Sequence, residues 1–539
     1  MTRAKGVPRS GRASAPQDRA SAPKGRAPST IRFYPNDPDA PVGLVPATPV
    51  EPDVGQPTFT IDGRRYAPAP YDPGTLAFQY WQGEVALART IRVWEDLFER
   101  DFTTWHEDQP LRVKLRAGKD LNAFYDRKSL QFFYDVDRKT GRTVYAGESL
   151  DIVAHEAGHA VLDVYQPGFW STPDLETASF HEAFADCSAL LVTLTDPAVR
   201  RALLTEAEGN WDRSNQVSRL AEALGRTIHD NYGPGAVSDP TRLRDARNVF
   251  RYADPASLSP GAADSELAAE PHSFSRVFTG VFYDAIVWAL ARALRQGPNE
   301  DAIESARRLL GRVLARAIEK LPPGNARYAD IAALMRSTDQ TEEGGAATPA
   351  IEAACARHGI DLAPLSGIRG GRRKAREKTS AAAAQSPLRG LDPERPGGLA
   401  AMRAALHLAP SARLARHSTP LRRRDGWREQ LLHVDEYRIR HRSLGDLDGI
   451  IVRIPCGCTI TRGSSGGVED LTLAPHPHPG PAEVLRSLRP WIRLRAIHPT
   501  RGVRASPREL FRGRTPFRLT AEGLLTRVYF DGAGTGSRS

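Results

Sequence analysis

Cysteine is scarce in this chain: there are four among 539 residues, Cys187, Cys355, Cys456 and Cys458. Four cysteines so spread are too few for a disulfide scaffold. Cys456-Gly-Cys458 reads as a strand or turn pair, because no companion ligands for a four-coordinate metal stand near it in the sequence. Long apolar runs are missing too. No uninterrupted stretch approaches the roughly 18 residues that a membrane-spanning helix requires. Residues 1–30 are rich in Ala, Pro, Ser and Arg and lack an apolar h-region, so they read as a disordered basic tail rather than an export signal. The expectation is a cytoplasmic protein, with non-classical export as the alternative. Lysine is sparse beside arginine, as a GC-rich coding sequence produces, so arginine enrichment alone does not point to a ligand.

What is present supports a large folded protein. The hydrophobic content of 40% is enough for a sizeable core, and 539 residues imply two or more domains. The net charge of +10 is segregated: residues 31–365 are acidic overall, while the tail, the linker and the last 140 or so residues are basic. Within 31–365, early strands at 58–61, 111–115 and 130–134 precede helices at 285–294, 302–321, 328–335 and 348–357. Residues 366–400, with Gly370-Gly-Arg-Arg-Lys and a four-alanine run, read as a flexible charged linker. Residues 401–539 read as a small β-rich or α+β accessory module, with strands at 431–439, 449–454 and 524–530 and a short helix at 482–488. Pro475-His-Pro-His-Pro479 reads as an extended connector. Such an Arg-rich module, carrying Trp427, Tyr437, Trp491 and Phe517, suits a protein partner better than nucleic acid.

The chemistry concentrates in Asp151-Ile-Val-Ala-His155-Glu156-Ala-Gly-His159 and in His181-Glu182-Ala-Phe-Ala-Asp186. On a helix, His155 and His159 stand one turn apart on one face, so both imidazoles reach a single tetrahedral cation. Glu156 projects from the flank, badly aimed for a ligand but well placed to hold a water as general base. Ser149 is the expected N-cap of this helix, which Gln166-Pro167-Gly168 ends. Thr177 is the expected cap of a second helix, on which Glu182 and Asp186 share a face at i and i+4. Glu182 then completes the ligand set. Asp186 is positioned to accept the free N–H of a ligating histidine and fix its tautomer.

This HEAGH with a downstream ExxxD resembles the thermolysin-like (gluzincin) zinc metallopeptidases, and the likeness covers roughly residues 80–360. A peptide-deformylase-like site is excluded, since it needs a Cys ahead of the HExxH and none precedes His155. The resemblance implies an α+β catalytic domain of two lobes, the upper β-rich and the lower helical, holding Zn²⁺ on His155, His159 and Glu182. It implies an endopeptidase in which Glu156 takes a water proton and His272, opening His272-Ser-Phe-Ser275, stabilises the oxyanion. Asn122 and Ala123, in Leu121-Asn-Ala-Phe-Tyr125, match the edge strand that holds the substrate backbone; an unpaired strand edge accepts an extended peptide by β-augmentation. Arg251, ahead of Asp254-Pro255, matches the family's carbonyl-binding arginine.

Two departures stand out. The interval from His159 to Glu182 is about three residues longer than in the family, which lengthens the loop between the helices. The family's oxyanion tyrosine falls on Trp170, whose indole offers one N–H and no acidic hydroxyl, so Trp170 is read as lining the substrate pocket and Tyr165 is the nearest alternative donor. His272 has three candidate acidic partners, Asp264, Glu266 and Glu270. The alternative function is a metal-bound domain, weak or inactive in catalysis, that serves protein or nucleic-acid binding through the basic module.

Overall fold

In a computed structural model of the chain, residues 30–49, 58–102, 104–106, 109–211, 213–293, 299–362, 368–370, 390–421, 426–474 and 479–531 are described. The expected tail, apart from Thr30, most of the expected linker and residues 475–478 of the expected connector lie outside them. The fold is mixed α+β with several small sheets; helix outweighs strand, 43% against 18%, and supplies most of the core.

Nine helices lead up to residue 362 among the described residues: α1 (Leu76–Phe98), α2 (Leu150–Tyr165), α3 (Leu175–Thr193), α4 (Pro197–Ala207), α5 (Glu222–Tyr232), α6 (Pro271–Ala293), α7 (Glu300–Lys320), α8 (Tyr328–Glu342) and α9 (Thr348–His358). Ser149 does stand at the N-cap of α2, but its hydroxyl turns to the carboxylates of Asp37, at 2.9 Å, and Asp151 rather than to an open backbone amide of the helix. The cap of α3 is Asp174, not Thr177. Its carboxylate accepts from the Thr177 N–H at 2.8 Å and the Thr177 hydroxyl at 2.7 Å, because a charged oxygen three residues upstream reaches the open amides that Thr177 lies too far inside the helix to cap.

All 19 residues of α3 are buried, which makes it the axis of the core. Trp94 of α1 stacks on Phe184 at 4.5 Å and donates to Ser188 Oγ at 2.9 Å, and that hydroxyl donates to the Ala154 carbonyl at 2.8 Å. One chain of contacts thus ties α1, α3 and α2 together. Gly158 allows α2 and α3 to close on each other, since a Cβ there would stand 2.8 Å from Ser188 Cβ and 3.0 Å from Ala185 Cα. Helix α6 is apolar and long enough to cross a membrane, with a mean hydropathy of 1.3, yet 83% of its most apolar stretch is buried in the protein, as befits a core helix.

Two five-stranded sheets flank the helices. The first runs in the order 530–531, 123–125, 129–132, 111–114, 59–61, so its outermost member comes from the far end of the chain. The second is antiparallel and lies wholly beyond residue 367, built around the long strands Gly426–Ile439 and Ile450–Arg462. Cys456 and Cys458 sit buried and free on that last strand. The C-terminal part is welded to the rest. Leu175, Ala178 and Ala269 share an apolar core with Ile450, Val452, Leu488, Trp491 and Phe517. Several arginines of this part serve the interior: Arg462, 2% exposed, pairs with Glu429 and Asp392 at 2.8 Å each, and Arg428 donates to the Glu319 carbonyl at 2.6 Å.

Candidate metal centre

Helices α2 and α3 lie side by side, and their facing turns bring His155, His159 and Glu182 together, with one ligand atom from each lying within 4.8 Å of the others. Glu182 Oε2 is 3.4 Å from His155 Nε2 and 3.4 Å from His159 Nε2. These three atoms are buried and have no hydrogen-bond partner. Burial without partners is costly for polar groups, and two imidazole nitrogens with one carboxylate oxygen form the donor set that suits zinc. The residues fit that metal.

Each of the two histidines is held from behind. His155 Nδ1 meets Asp186 Oδ1 at 3.0 Å, and Asp186 is itself held by Arg244 at 2.8 Å and by the Thr279 hydroxyl of α6 at 3.1 Å. His159 Nδ1 meets His181 Nδ1 at 2.8 Å, so a neutral imidazole does for one ligand what a carboxylate does for the other. Burial pushes both members of this pair down, His159 to about 4 and His181 well below its usual value, which leaves them uncharged and able to share one proton along the contact. Burial also acts to lower His155, but Asp186 and Glu182 outweigh it and raise it to about 9. Glu182 is held well below the carboxylate range: its burial is overcome by His272, His159 and His155.

Glu156 lies beside this group with both carboxylate oxygens buried and unpartnered. Burial raises it to about 8, and the carboxylates of Glu182 and Asp531 add to that against His155 and His272. A carboxyl poised near neutrality is suited to exchanging protons with water. His272, at the start of α6, reaches the centre from the opposite side: its Nε2 is 3.3 Å from Glu182 Oε2 and its Nδ1 is 2.6 Å from Glu270. Of the three acidic candidates, Glu270 is the one in contact. Burial acts to lower His272, but Glu182 and Glu270 hold it well above its usual value, so it stands as a charged donor.

No protein-family model matches the chain, and no curated protein matches it. The geometry brings together His155, Glu156, His159, Glu182, Asp186 and His272. Asn122 and Ala123 are close by: Ala123 opens the strand Ala123–Tyr125, and the Asn122 side chain hydrogen-bonds the Asp531 carboxyl. Trp170 is buried against Tyr125, with ring centroids 5.7 Å apart, and its indole N–H donates to the Arg527 carbonyl at 3.0 Å. That donor is engaged. The Tyr165 ring stacks on Phe98 at 3.9 Å, and its hydroxyl, raised by burial and by Glu319, faces Arg100 and Arg428 rather than the ligands. Arg251 is exposed and donates to the Arg357 carbonyl at 2.6 Å. It is Arg244, not Arg251, that meets the centre.

Sequence reasoning passed over His181, Arg244, Arg527, Phe530 and Asp531. His181 sits beside Glu182 in the chain, so adjacency was the available signal. Arg527 carried none: it comes from the C-terminal part, donates from Nε to the Trp170 carbonyl at 3.2 Å, and presents a terminal nitrogen with no hydrogen-bond partner. Burial lowers Arg527 to about 9 while Glu182 and Asp531 oppose the shift.

Proposed function

We propose that this chain is a zinc-dependent endopeptidase whose catalytic part has the thermolysin-like two-lobed arrangement. The observation that carries the reading is the set of three partnerless ligand atoms on α2 and α3 with the partnerless, near-neutral Glu156 carboxyl beside them. His155, His159 and Glu182 would hold the metal, which when bound supplies Lewis acidity towards a peptide carbonyl and towards water. Glu156 accepts a proton from the attacking water and returns it to the departing amine nitrogen. His272, kept charged and oriented by Glu270, donates from Nε2 to the carbonyl oxygen as negative charge develops there. Asp186 fixes the ring of His155 so that Nε2 keeps its lone pair for the ligand role. The strand Ala123–Tyr125 would hold the backbone of an extended peptide on the side along which Phe530 and Asp531 pair in this structure.

A second reading, a metal-holding domain with feeble catalysis, draws support from Trp170 and Tyr165, since neither turns a free donor towards the centre. One experiment separates the two. Zinc content and cleavage of a generic unfolded protein are measured for the wild type and for Glu156→Gln. The expected result is equal zinc and a rate lower by about 10²–10⁴-fold in the variant, the usual contribution of a positioned general base. Wild-type protein that holds zinc and cuts nothing supports the second reading; a zinc-loaded Glu156→Gln as fast as wild type rules out Glu156 as the base.

A further inference from the structure

The strand Ala123–Tyr125 is not a bare edge. Residues Phe530 and Asp531 lie antiparallel along it, Phe530 opposite Tyr125 and Asp531 opposite Phe124. We propose that this last strand is an internal ligand of the protein's own peptide-binding edge, and that the seat of the Phe530 ring is a subsite for aromatic side chains of a peptide. The proposal rests on the peptidase reading for what the edge is for, while the occupancy itself is a matter of contacts.

Three contacts distinguish this strand from one that merely finishes a sheet. First, the Asp531 carbonyl accepts a hydrogen bond from His272 Nε2, the donor assigned above to a peptide carbonyl. Second, the Phe530 ring roofs His159 and the His181 behind it: it stacks on His181 at 4.0 Å and on His159 at 5.1 Å, stands edge-on to Trp170 at 5.3 Å, and has the Arg527 guanidinium 4.2 Å from its centre. Aromatic planes and a cation on several sides make a seat selective for a flat ring. Third, the Asn122 side chain, expected to hold a substrate, is engaged by the Asp531 carboxyl. A substrate peptide needs the same edge, the same histidine and the same seat.

The C-terminal part delivers the strand to this place. Trp170 and Arg527 exchange hydrogen bonds through each other's carbonyls, and Tyr529 packs among Phe124, Phe133 and Phe511. Tyr529 and Arg527 are thus the anchors, and the two residues beyond them cover the centre. The backbone pairing is only two residues long, so release amounts to a local opening that withdraws the Phe530 ring and breaks the His272 and Asn122 contacts while the anchors stay in place. In this arrangement the strand restrains the site from within, and its departure is the step that admits a peptide.

The test uses a fluorescein-labelled hexapeptide, Val-Tyr-Phe-Asp-Gly-Ala, with fluorescence anisotropy as the readout. It is bound to metal-free full-length protein, to full-length Phe530→Ala, and to a chain stopped after Tyr529. The expected result is at least tenfold tighter binding by both variants than by the intact chain, and at least tenfold loss when the peptide's Phe becomes Ala. Equal binding by all three proteins, or no binding by variants whose circular dichroism is native, overturns the proposal; indifference to Phe or Ala overturns the subsite. Should both variants fail to fold, hydrogen exchange on the unsubstituted chain decides: the Tyr125 and Phe530 amides are expected to exchange together and faster than those of α3. Exchange as slow as that of α3 makes the strand a permanent part of the fold and overturns the proposal. With zinc added, a stopped chain that binds the peptide but cuts no protein sinks the peptidase reading alone. An intact chain that cuts as fast as the stopped one sinks the internal ligand alone.

Discussion

Replacing Asp186 by Asn tests the support behind the ligands without touching a ligand. Asp186 Oδ1 receives His155 Nδ1 at 3.0 Å and Arg244 at 2.8 Å, while Oδ2 receives the Thr279 hydroxyl at 3.1 Å. An Asn side chain has the same outline and can keep an oxygen towards His155 and Arg244, with its amide turned to Thr279. What disappears is the negative charge: burial acts to raise the Asp186 pKa, but Arg244 and His155 outweigh it and hold it at about 2. Loss of such a partner to a ligating histidine costs about 10–100-fold in metal affinity, or roughly 1.4–2.7 kcal/mol. Competition against a chromophoric zinc chelator at neutral pH reads the affinity directly, and a thermal melt in chelator reads the fold apart from the metal. The buried Arg244 guanidinium is left without its counter-charge, so the metal-free melt should also fall; the full loss of a buried partner is about 3–5 kcal/mol, an upper bound for this milder change. Zinc affinity equal to wild type in a normally folded Asp186→Asn would refute the claim that this carboxylate orients His155.

The remaining expectations concern the frame around the centre. Burial, aided by Asp174, pushes Glu176 up to about 8 against hydrogen bonds from the Tyr328 amide and the Tyr252 hydroxyl. Its folded pKa therefore exceeds the unfolded one, so its contribution to stability is whole at pH below about 4.5 and declines by about 1.4 kcal/mol per unit until pH 8. Glu176→Gln, which keeps an acceptor for the Tyr328 amide, should gain stability over wild type progressively between pH 5 and pH 8 in chemical denaturation; a constant difference across that range would contradict the assignment. Gly158→Ala should destabilise by about 1–3 kcal/mol, because its methyl meets Ser188 and the Ala185 backbone, and it should weaken zinc binding as α2 is pushed from α3. Unchanged melting and zinc affinity would mean the helices are less tightly apposed than described.

The first-order layout of the centre was legible along the chain because it depends on local geometry alone. Residues four apart on a helix share a face whatever surrounds them, so His155 with His159, and Glu182 with Asp186, were paired by spacing. Which acid would meet His272 was open among Asp264, Glu266 and Glu270, and only the approach of the start of α6 to the ligands selected Glu270. Arg244 lies on the two-residue strand Arg244–Asp245 and Arg251 in the irregular segment after it, and neither is long enough to carry a periodic pattern; the fold turned Arg244 to Asp186 and Arg251 to the Arg357 carbonyl.

The largest divide is between the motif and its covering strand. By itself the sequence determined two helices, the three converging side chains and the carboxyl beside them, since each follows from a few neighbouring residues and the turn of a helix. Tertiary structure alone decided that Asp531 meets His272, 259 residues away, and that Phe530 lies over His159. Backbone pairing between strands is blind to side-chain identity, so the two-residue strand carries no pattern that announces its partner. Only the packing of Arg527 and Tyr529 against Trp170, Phe124 and Phe133 brings it there.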